Sequence, residues 1–248
     1  MMIRKWLARL GLCAAILLQA LGPADAEEIV DLELVLLADA SGSIDDGEIR
    51  FQREGYAAAI THPQVLSAIS SGLHQRIAVT YVEWGNAASQ AVVVPWTVIA
   101  GPEDAAGFAD RLRAVPRLAF GRNAIGAALD KAHRLIETNA IRGLRRVIDL
   151  SGDSANNWNG PPISIVRQEI VSKGIAINGL AILCREVDCG GRSADYDLEK
   201  AFEEHIIGGP GSFVVTADSR TTFADAVRRK LVLEIASLPP RPGFSDIE

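Results

Sequence analysis

Three short polar segments carry the residues in this sequence whose types and spacing could do chemistry. They lie at positions 39–43, 121–126 and 151–153, and the first reads Asp-Ala-Ser-Gly-Ser. Their side chains offer carboxylate, hydroxyl and amide oxygens, which are the ligands of a hard divalent cation, Mg²⁺ above all, with Mn²⁺ or Ca²⁺ as alternatives. The five candidate ligands are Asp39, Ser41, Ser43, Asn123 and Asp153.

The polar segments are placed by the strands and helices that precede and follow them. Residues 31–38 form a continuous apolar run, which is typical of a strand buried on both faces, and a helical stretch follows from about residue 46 to 61. Residues 145–150 form another strand that ends at the third segment. Because ligands bind at the carboxyl ends of strands in open α/β sheets, we expect the segments to converge at one sheet edge.

The rest of the chain alternates strands with helices. A hairpin is predicted from residues 77–84 and 90–98, with Pro95 suited to an edge strand because proline cannot donate to a ladder. Further strands are predicted at 175–183 and 212–216, and further helices at 104–115, 124–138, 163–173, 195–206 and 221–236. This order predicts an α/β fold with a mostly parallel sheet, one antiparallel edge strand and helices on both faces.

The motif DASGS, between a buried strand and a helix, resembles the metal-ion-dependent adhesion site (MIDAS) of von Willebrand factor A (vWA) domains. The Gly-x-Asn-x-x-Gly stretch at 121–126 and SGD at 151–153 lie where such domains place their second and third loops. The resemblance covers about residues 30–237. RRVIDLSGDSANN, YVEW and IIGGPGSFV further resemble an uncharacterised group of secreted bacterial vWA-like proteins. The resemblance to vWA domains implies the Rossmann-like vWA fold.

The resemblance also implies a role for each candidate. Ser41 and Ser43 would coordinate the metal directly, while Asp39 and Asp153 would act through water or orient a ligand. Neutral hydroxyls leave much of the ion's charge uncompensated, so a vacant coordination position would attract a carboxylate from a partner protein. Two departures from the family pattern are present: Asn123 replaces a threonine, and the third loop displaces its acid by one residue.

Other interpretations of these residues stay open at this point. Asp39 and Ser43 could only cap the first helix, because Asp and Ser are preferred N-caps. Asp149, inside a strand, could compete with Asp153 for the third-loop role. Trp158 and Asn157 are candidates for contact with a partner, although a packed Trp would explain the same sequence.

Catalysis is not the favoured interpretation. Ser41 lacks the Gly-x-Ser-x-Gly context of a nucleophile elbow, and the glycine-rich segments match neither a P-loop nor a dinucleotide fingerprint. A metal-dependent phosphohydrolase is the best enzymatic alternative, but it would need more direct carboxylate ligands. The net charge of −6 argues against a nucleic-acid partner, because no basic stripe is present to neutralise phosphates.

Residues 1–26 have the features of a secretory signal peptide. Arg4, Lys5 and Arg9 precede an apolar run from Leu10 to Gly22, and the segment ends in Ala-Asp-Ala. That run is shorter than the roughly 18 residues needed to span a bilayer, so we expect export to a periplasm or beyond the cell, with no membrane span after cleavage.

Two cysteines would remain after cleavage, Cys184 and Cys189. In an exported protein their spacing favours a local disulfide over a redox or metal pair. We expect one vWA-like domain at 28–238 and a mobile, proline-rich tail at 239–248. The sequence thus predicts a protein-binding module with a MIDAS-like cation site; a degenerate domain that binds its partner without metal is the alternative.

Overall fold

The computed structural model describes residues 27–183 and 196–236. Within these ranges the chain forms strands and helices in an alternating order. The strands are β1 (Glu28–Asp39), β2 (Ile77–Trp84), β3 (Gln90–Ile99), β4 (Ile141–Gly152), β5 (Ala176–Ile182) and β6 (Val214–Ala217). The helices are α1 (Asp46–Ile60), α2 (Pro63–Ser70), α3 (Pro102–Ala114), α4 (Ile125–Glu137), α5 (Ile163–Ser172), α6 (Leu198–His205) and α7 (Arg220–Ala236).

The strands form one sheet in the order β3-β2-β1-β4-β5-β6. All neighbouring pairs are parallel except β2 and β3, which form the predicted hairpin and leave β3 at the edge. Pro95 therefore lies on an edge strand, where its missing N–H is tolerated. The predicted fold class, a mostly parallel sheet with one antiparallel edge strand, is confirmed.

Alternate side chains of β1 enter two different cores. Leu32, Leu34 and Leu36 pack against α1, α2, α3 and α7 on one face of the sheet. Val35 and Leu37 pack against α4, α5 and α6 on the other face. This is the period of two expected of a strand, and both of its faces are apolar because helices cover both faces.

Helix α2 is not predicted by the sequence pattern. It has only eight residues and begins directly after α1 at Pro63, with His62 as its N-cap accepting a bond from the Gln64 amide. Strand β4 also begins earlier than the periodicity indicates, at Ile141 instead of residue 145. The basic residues at the start of β4 do not give the apolar pattern of a buried strand. The strand forms there because it pairs with the start of β1.

Several predictions fall on residues that the structure does not describe. These are the signal peptide at 1–26, the tail at 239–248, and both cysteines of the predicted disulfide, Cys184 and Cys189. Among the helices of residues 27–183 and 196–236, none is both long enough and apolar enough to cross a bilayer.

Candidate metal site at the carboxyl ends of β1 and β4

Three loops meet where β1 and β4 end side by side. We call them loop 1 (residues 40–45), loop 2 (residues 115–124) and loop 3 (residues 153–162). From β1 the chain builds the sheet towards β2 on one side, and it later returns to β4 on the other side. Doubly wound α/β sheets bind ligands at such a switch in direction. We call the space between these three loops the crevice.

Loop 1 bends sharply around the Asp39 side chain. Asp39 is fully buried, and its Oδ1 accepts a hydrogen bond of 2.8 Å from the amide of Ser41. The hydroxyls of Ser41 and Ser43 lie 3.2 Å apart, on the same side of the loop. Asp39 Oδ2 is buried and has no hydrogen-bond partner.

Helix α1 is capped by other residues. Asp45 Oδ1 accepts from the amide of Glu48, and Glu48 Oε2 accepts from the amide of Asp45, each at 2.8 Å. This is a complete capping box. The interpretation of Asp39 and Ser43 as helix caps is therefore wrong, and neither side chain is needed for the helix terminus.

Asp153 lies against loop 1 and contributes a second carboxylate. Its Oδ1 is buried without a hydrogen-bond partner, like Oδ2 of Asp39. Burial raises the pKa of Asp39 well above its ordinary value, and the charge of Asp153 raises it further. Burial also raises the pKa of Asp153, while a hydrogen bond from Ser43 opposes that rise. Two desolvated acids thus share one small space.

Gly152 makes that space possible. A Cβ at this position would lie 3.3 Å from Asp39 Oδ2 and 3.3 Å from Cζ2 of Trp84. The missing side chain leaves room between the end of β4 and the carboxylate of Asp39. Buried carboxylate oxygens without a donor are groups that a divalent cation would satisfy.

Asn123 lies on loop 2 between the other two loops. It is buried, and its Nδ2 donates to the hydroxyl of Ser154 at 3.0 Å. The amide side chain is therefore oriented by loop 3. Trp158 donates its backbone amide to the carbonyl oxygen of Asn123 at 2.8 Å, while its ring stays 62% exposed. Asn157 bonds to the backbone of Gly126 and of Pro161.

Asp149 is not part of the candidate metal site. Its carboxylate lies 2.6 Å from the ammonium of Lys230, which also pairs with Glu234 at 2.5 Å, and all three side chains are almost fully buried. The Asp149 side chain thus points to the core beneath α7. Of the two acids, Asp153 is therefore the one that lies beside Asp39 and Ser43.

Arg117 is a site residue that the sequence pattern did not reveal. Its guanidinium donates to the carbonyl oxygens of Ala40, Ser41 and Ile44, and so binds loop 2 to the backbone of loop 1. The amide of Gly42 completes the connection by donating to Gly121 O at 2.8 Å. Because an arginine can reach backbone carbonyls from many positions, no local motif marks this function.

The site differs from a carboxylate-rich metal centre. No group of three or more His, Cys, Asp or Glu side chains that could hold a metal occurs among residues 27–183 and 196–236. The crevice combines two acids with hydroxyls and one amide, and it lies at the edge where the loops converge. Its donor set therefore fits a hard cation with neutral ligands better than Zn²⁺ in a Cys- or His-rich site.

Solved structures with the same fold are vWA-domain proteins. Proximal thread matrix protein 1 from the mussel byssus, solved with a zinc-occupied MIDAS motif, is 17% identical, with 85% of this chain and 49% of that chain covered and a TM-score of 0.55. The vWF domain of the type V pili tip protein Mfa5 from Porphyromonas gingivalis is 11% identical, with 82% and 94% covered and a TM-score of 0.51.

The pilus adhesin SpaC from Lactobacillus rhamnosus GG is also similar, at 13% identity and a TM-score of 0.52, with 83% of this chain and 30% of that chain covered. This chain thus spans only part of SpaC and about half of the byssus protein. The likeness shows a vWA-like fold.

A comparison with the curated proteins gives no match. The model of the family described as "Protein of unknown function (DUF1194)" matches residues 29–239. The chain therefore belongs to the DUF1194 family and folds as a vWA-like domain.

Proposed function

We propose that this protein is an exported, non-catalytic binding module that coordinates a divalent cation and engages an acidic group of a partner protein. The observation that carries the proposal is the pair of buried carboxylate oxygens without donors, Asp39 Oδ2 and Asp153 Oδ1. Leaving two such groups desolvated costs free energy, which a cation in the crevice would recover. The zinc-occupied MIDAS of the byssus protein supports the same chemistry in this fold.

In this proposal each residue has a defined task. The hydroxyls of Ser41 and Ser43 bind the cation directly, and the acids Asp39 and Asp153 bind it through water or orient the serines. Asn123 contributes from loop 2. When bound, the cation supplies a Lewis-acidic position that a partner's carboxylate can fill. Mg²⁺ is the favoured ion, with Mn²⁺ or Ca²⁺ as alternatives.

Arg117 holds the backbone on which those tasks depend. By donating to three carbonyl oxygens of loop 1, it fixes the direction in which the Ser41 and Ser43 hydroxyls face the crevice. The guanidinium also pairs with Asp46 at 3.3 Å, so its charge is compensated within the protein. It therefore organises the loop without occupying the crevice, and we assign it a positioning role.

Metal titration tests the proposal. Mg²⁺ or Mn²⁺ at about 100 times its Kd should stabilise the protein by about 2.7 kcal/mol and raise the melting temperature by roughly 5–10 °C. Calorimetry should show saturable heat, and both signals should vanish in Asp153→Asn. The control Asp130→Asn removes an acid on the exposed side of α4 and should bind like wild type.

Two alternatives predict different results. A degenerate domain that binds its partner without metal is favoured by Asn123, whose amide already bonds to Ser154; it predicts no heat and no thermal shift with any of the three ions. A metal-dependent phosphohydrolase predicts turnover of a generic phosphoester that is lost in Asp39→Ala. Neither result would be compatible with the proposed module.

A further inference from the structure

An exposed cation and an exposed aromatic ring lie together at the rim of the crevice. The guanidinium carbon of Arg122 is 5.1 Å from the ring centroid of Trp158, which is within cation–π range. Arg122 is exposed and forms no ion pair or hydrogen bond with any residue in the described ranges, 27–183 and 196–236. In a chain of net charge −6, an arginine without an acidic partner at this edge is a local site for an anion.

The backbone that carries Trp158 is held in place before any partner binds. Its amide donates to Asn123 O at 2.8 Å, and the neighbouring residues Ala124 and Asn157 form an isolated antiparallel bridge. Loop 3 is thereby joined to loop 2 at Trp158 and at the residue that precedes it. The residue that carries the ring is consequently bonded to the backbone of the candidate ligand Asn123.

Two asparagine side chains hold the rest of loop 3. Asn157 Oδ1 accepts from the amide of Gly126 at the start of α4. Asn159 Oδ1 accepts at 3.0 Å from the amide of Ala87, in the turn of the β2–β3 hairpin. These bonds fix the loop on both sides of Trp158, so binding through the ring would require little further ordering of the backbone.

A second aromatic ring at the same edge repeats the arrangement. Phe120 on loop 2 is 54% exposed, and the guanidinium carbon of Arg117 lies 4.8 Å from its ring centroid. Arg117 is committed to backbone carbonyls, whereas Arg122 has no such bonds among the described residues. Arg122 and Trp158 are therefore the pair with free binding capacity.

We propose that Arg122 and Trp158 form a second contact for the partner that the metal site engages. The partner is an acidic segment with two nearby carboxylates and an aromatic or aliphatic side chain: one carboxylate meets the cation, the other pairs with Arg122, and the apolar side chain packs on Trp158. This inference rests on the proposed function. Trp and Arg are the residues most enriched among interface hot spots, especially where they are rigid and become desolvated.

A peptide selection tests the inference. Random dodecapeptides displayed on phage are selected on the full-length mature protein in Mg²⁺, and the enriched peptides are synthesised for Kd measurement. We expect paired Asp or Glu residues beside an apolar residue. Arg122→Gln should weaken binding roughly tenfold and Trp158→Ala roughly thirtyfold, while Mg²⁺ affinity by calorimetry stays unchanged.

Matched controls lie at the opposite end of the sheet. Arg142→Gln and Leu144→Ala replace an exposed arginine and an exposed apolar side chain near the start of β4. Both should bind the selected peptides within twofold of wild type. Melting temperatures of all four variants establish that folding is retained.

The outcomes separate this inference from the proposed function. If chelation abolishes peptide binding but Arg122→Gln and Trp158→Ala do not weaken it, the rim contact is refuted and the metal-dependent module stands. If binding survives chelation but is lost in both variants, the metal step fails and the rim contact stands. Failure to enrich acidic peptides, or self-association of the chain that is lost in Trp158→Ala, would overturn the inference.

Discussion

The guanidinium of Arg117 donates a hydrogen bond of 2.9 Å to the carbonyl oxygen of Ser41, across 76 residues of sequence. This contact joins loop 2 to the loop that carries the candidate ligands. Arg117 therefore holds the backbone of the loop that carries the two serine hydroxyls.

Arg117→Met should loosen loop 1. The substitution keeps much of the apolar stem but leaves buried or half-buried carbonyl oxygens without donors, at a cost of roughly 1–3 kcal/mol in the free energy of unfolding. Mg²⁺ affinity should fall roughly tenfold, as for other residues that orient metal ligands. Urea unfolding and calorimetry measure the two effects. Arg50→Met, on the exposed side of α1, serves as the control, and an equal loss of affinity there would contradict the role of Arg117.

Asp39→Asn should stabilise the metal-free protein and abolish its response to metal. Asparagine keeps an acceptor for the Ser41 amide, cannot ionise beside Asp153, and offers an amide donor to the Asp153 carboxylate. We expect the melting temperature without metal to rise by about 3 °C, which corresponds to roughly 1 kcal/mol. Differential scanning calorimetry with and without Mg²⁺ measures both parts. A lower melting temperature without metal would show that the acids do not oppose each other.

Gly152→Ala should weaken the site while leaving the fold intact. The added Cβ would lie 3.3 Å from Asp39 Oδ2 and from Trp84 Cζ2, so the carboxylate must shift by a few tenths of an ångström. We expect roughly tenfold weaker Mg²⁺ binding, in the range seen when the support of a metal ligand is disturbed. Gly107→Ala in α3 is the control, because its Cβ meets open space and should stabilise the helix by roughly 0.5–1 kcal/mol. Unchanged Mg²⁺ affinity in Gly152→Ala would show that Asp39 Oδ2 takes no part in metal binding.

The buried cluster around Asp149 should make stability depend on pH. Burial and the charge of Glu234 raise the Asp149 pKa to about 7, although Lys230 opposes the rise. Tyr56 of α1 and Tyr81 of β2 face the same carboxyl, and burial raises the pKa of both. Above the ordinary pKa of an aspartate, the Asp149 carboxyl therefore keeps its proton in the folded protein, whereas the unfolded chain has released it. Stability from this group is therefore full below about pH 4 and falls as the pH rises towards 7.

Asp149→Asn isolates this effect. The variant cannot ionise at this position, so its stability relative to wild type should improve between pH 5 and pH 7 by about 2 kcal/mol. Urea unfolding of both proteins across that range measures the difference. Parallel pH curves for the two proteins would show that Asp149 keeps its ordinary pKa.

Local patterns in the sequence determined most of the fold. The apolar run of β1 between polar ends predicts a strand covered on both faces, and Pro95 predicts the edge position of β3; both follow from side-chain period and backbone donors alone. The motif DASGS at the end of β1, with SGD at the end of β4, is enough to predict that polar side chains meet at one sheet edge, because parallel strands end there. The sequence pattern did not predict the short helix α2, because eight residues are too few to show a clear helical period.

Only the tertiary structure decided what each polar residue contacts. Asp45, and not Asp39 or Ser43, caps α1, and Asp39 Oδ2 is buried without a hydrogen-bond partner. Asp149 and Asp153 are four residues apart, yet the first pairs with Lys230 of α7 and the second faces loop 1. Arg117 and Trp158 are held by backbone groups that are distant in sequence or on another loop. Hydrogen bonds and ion pairs depend on atoms that folding alone brings within 3 Å or so, and no local period in the sequence encodes them.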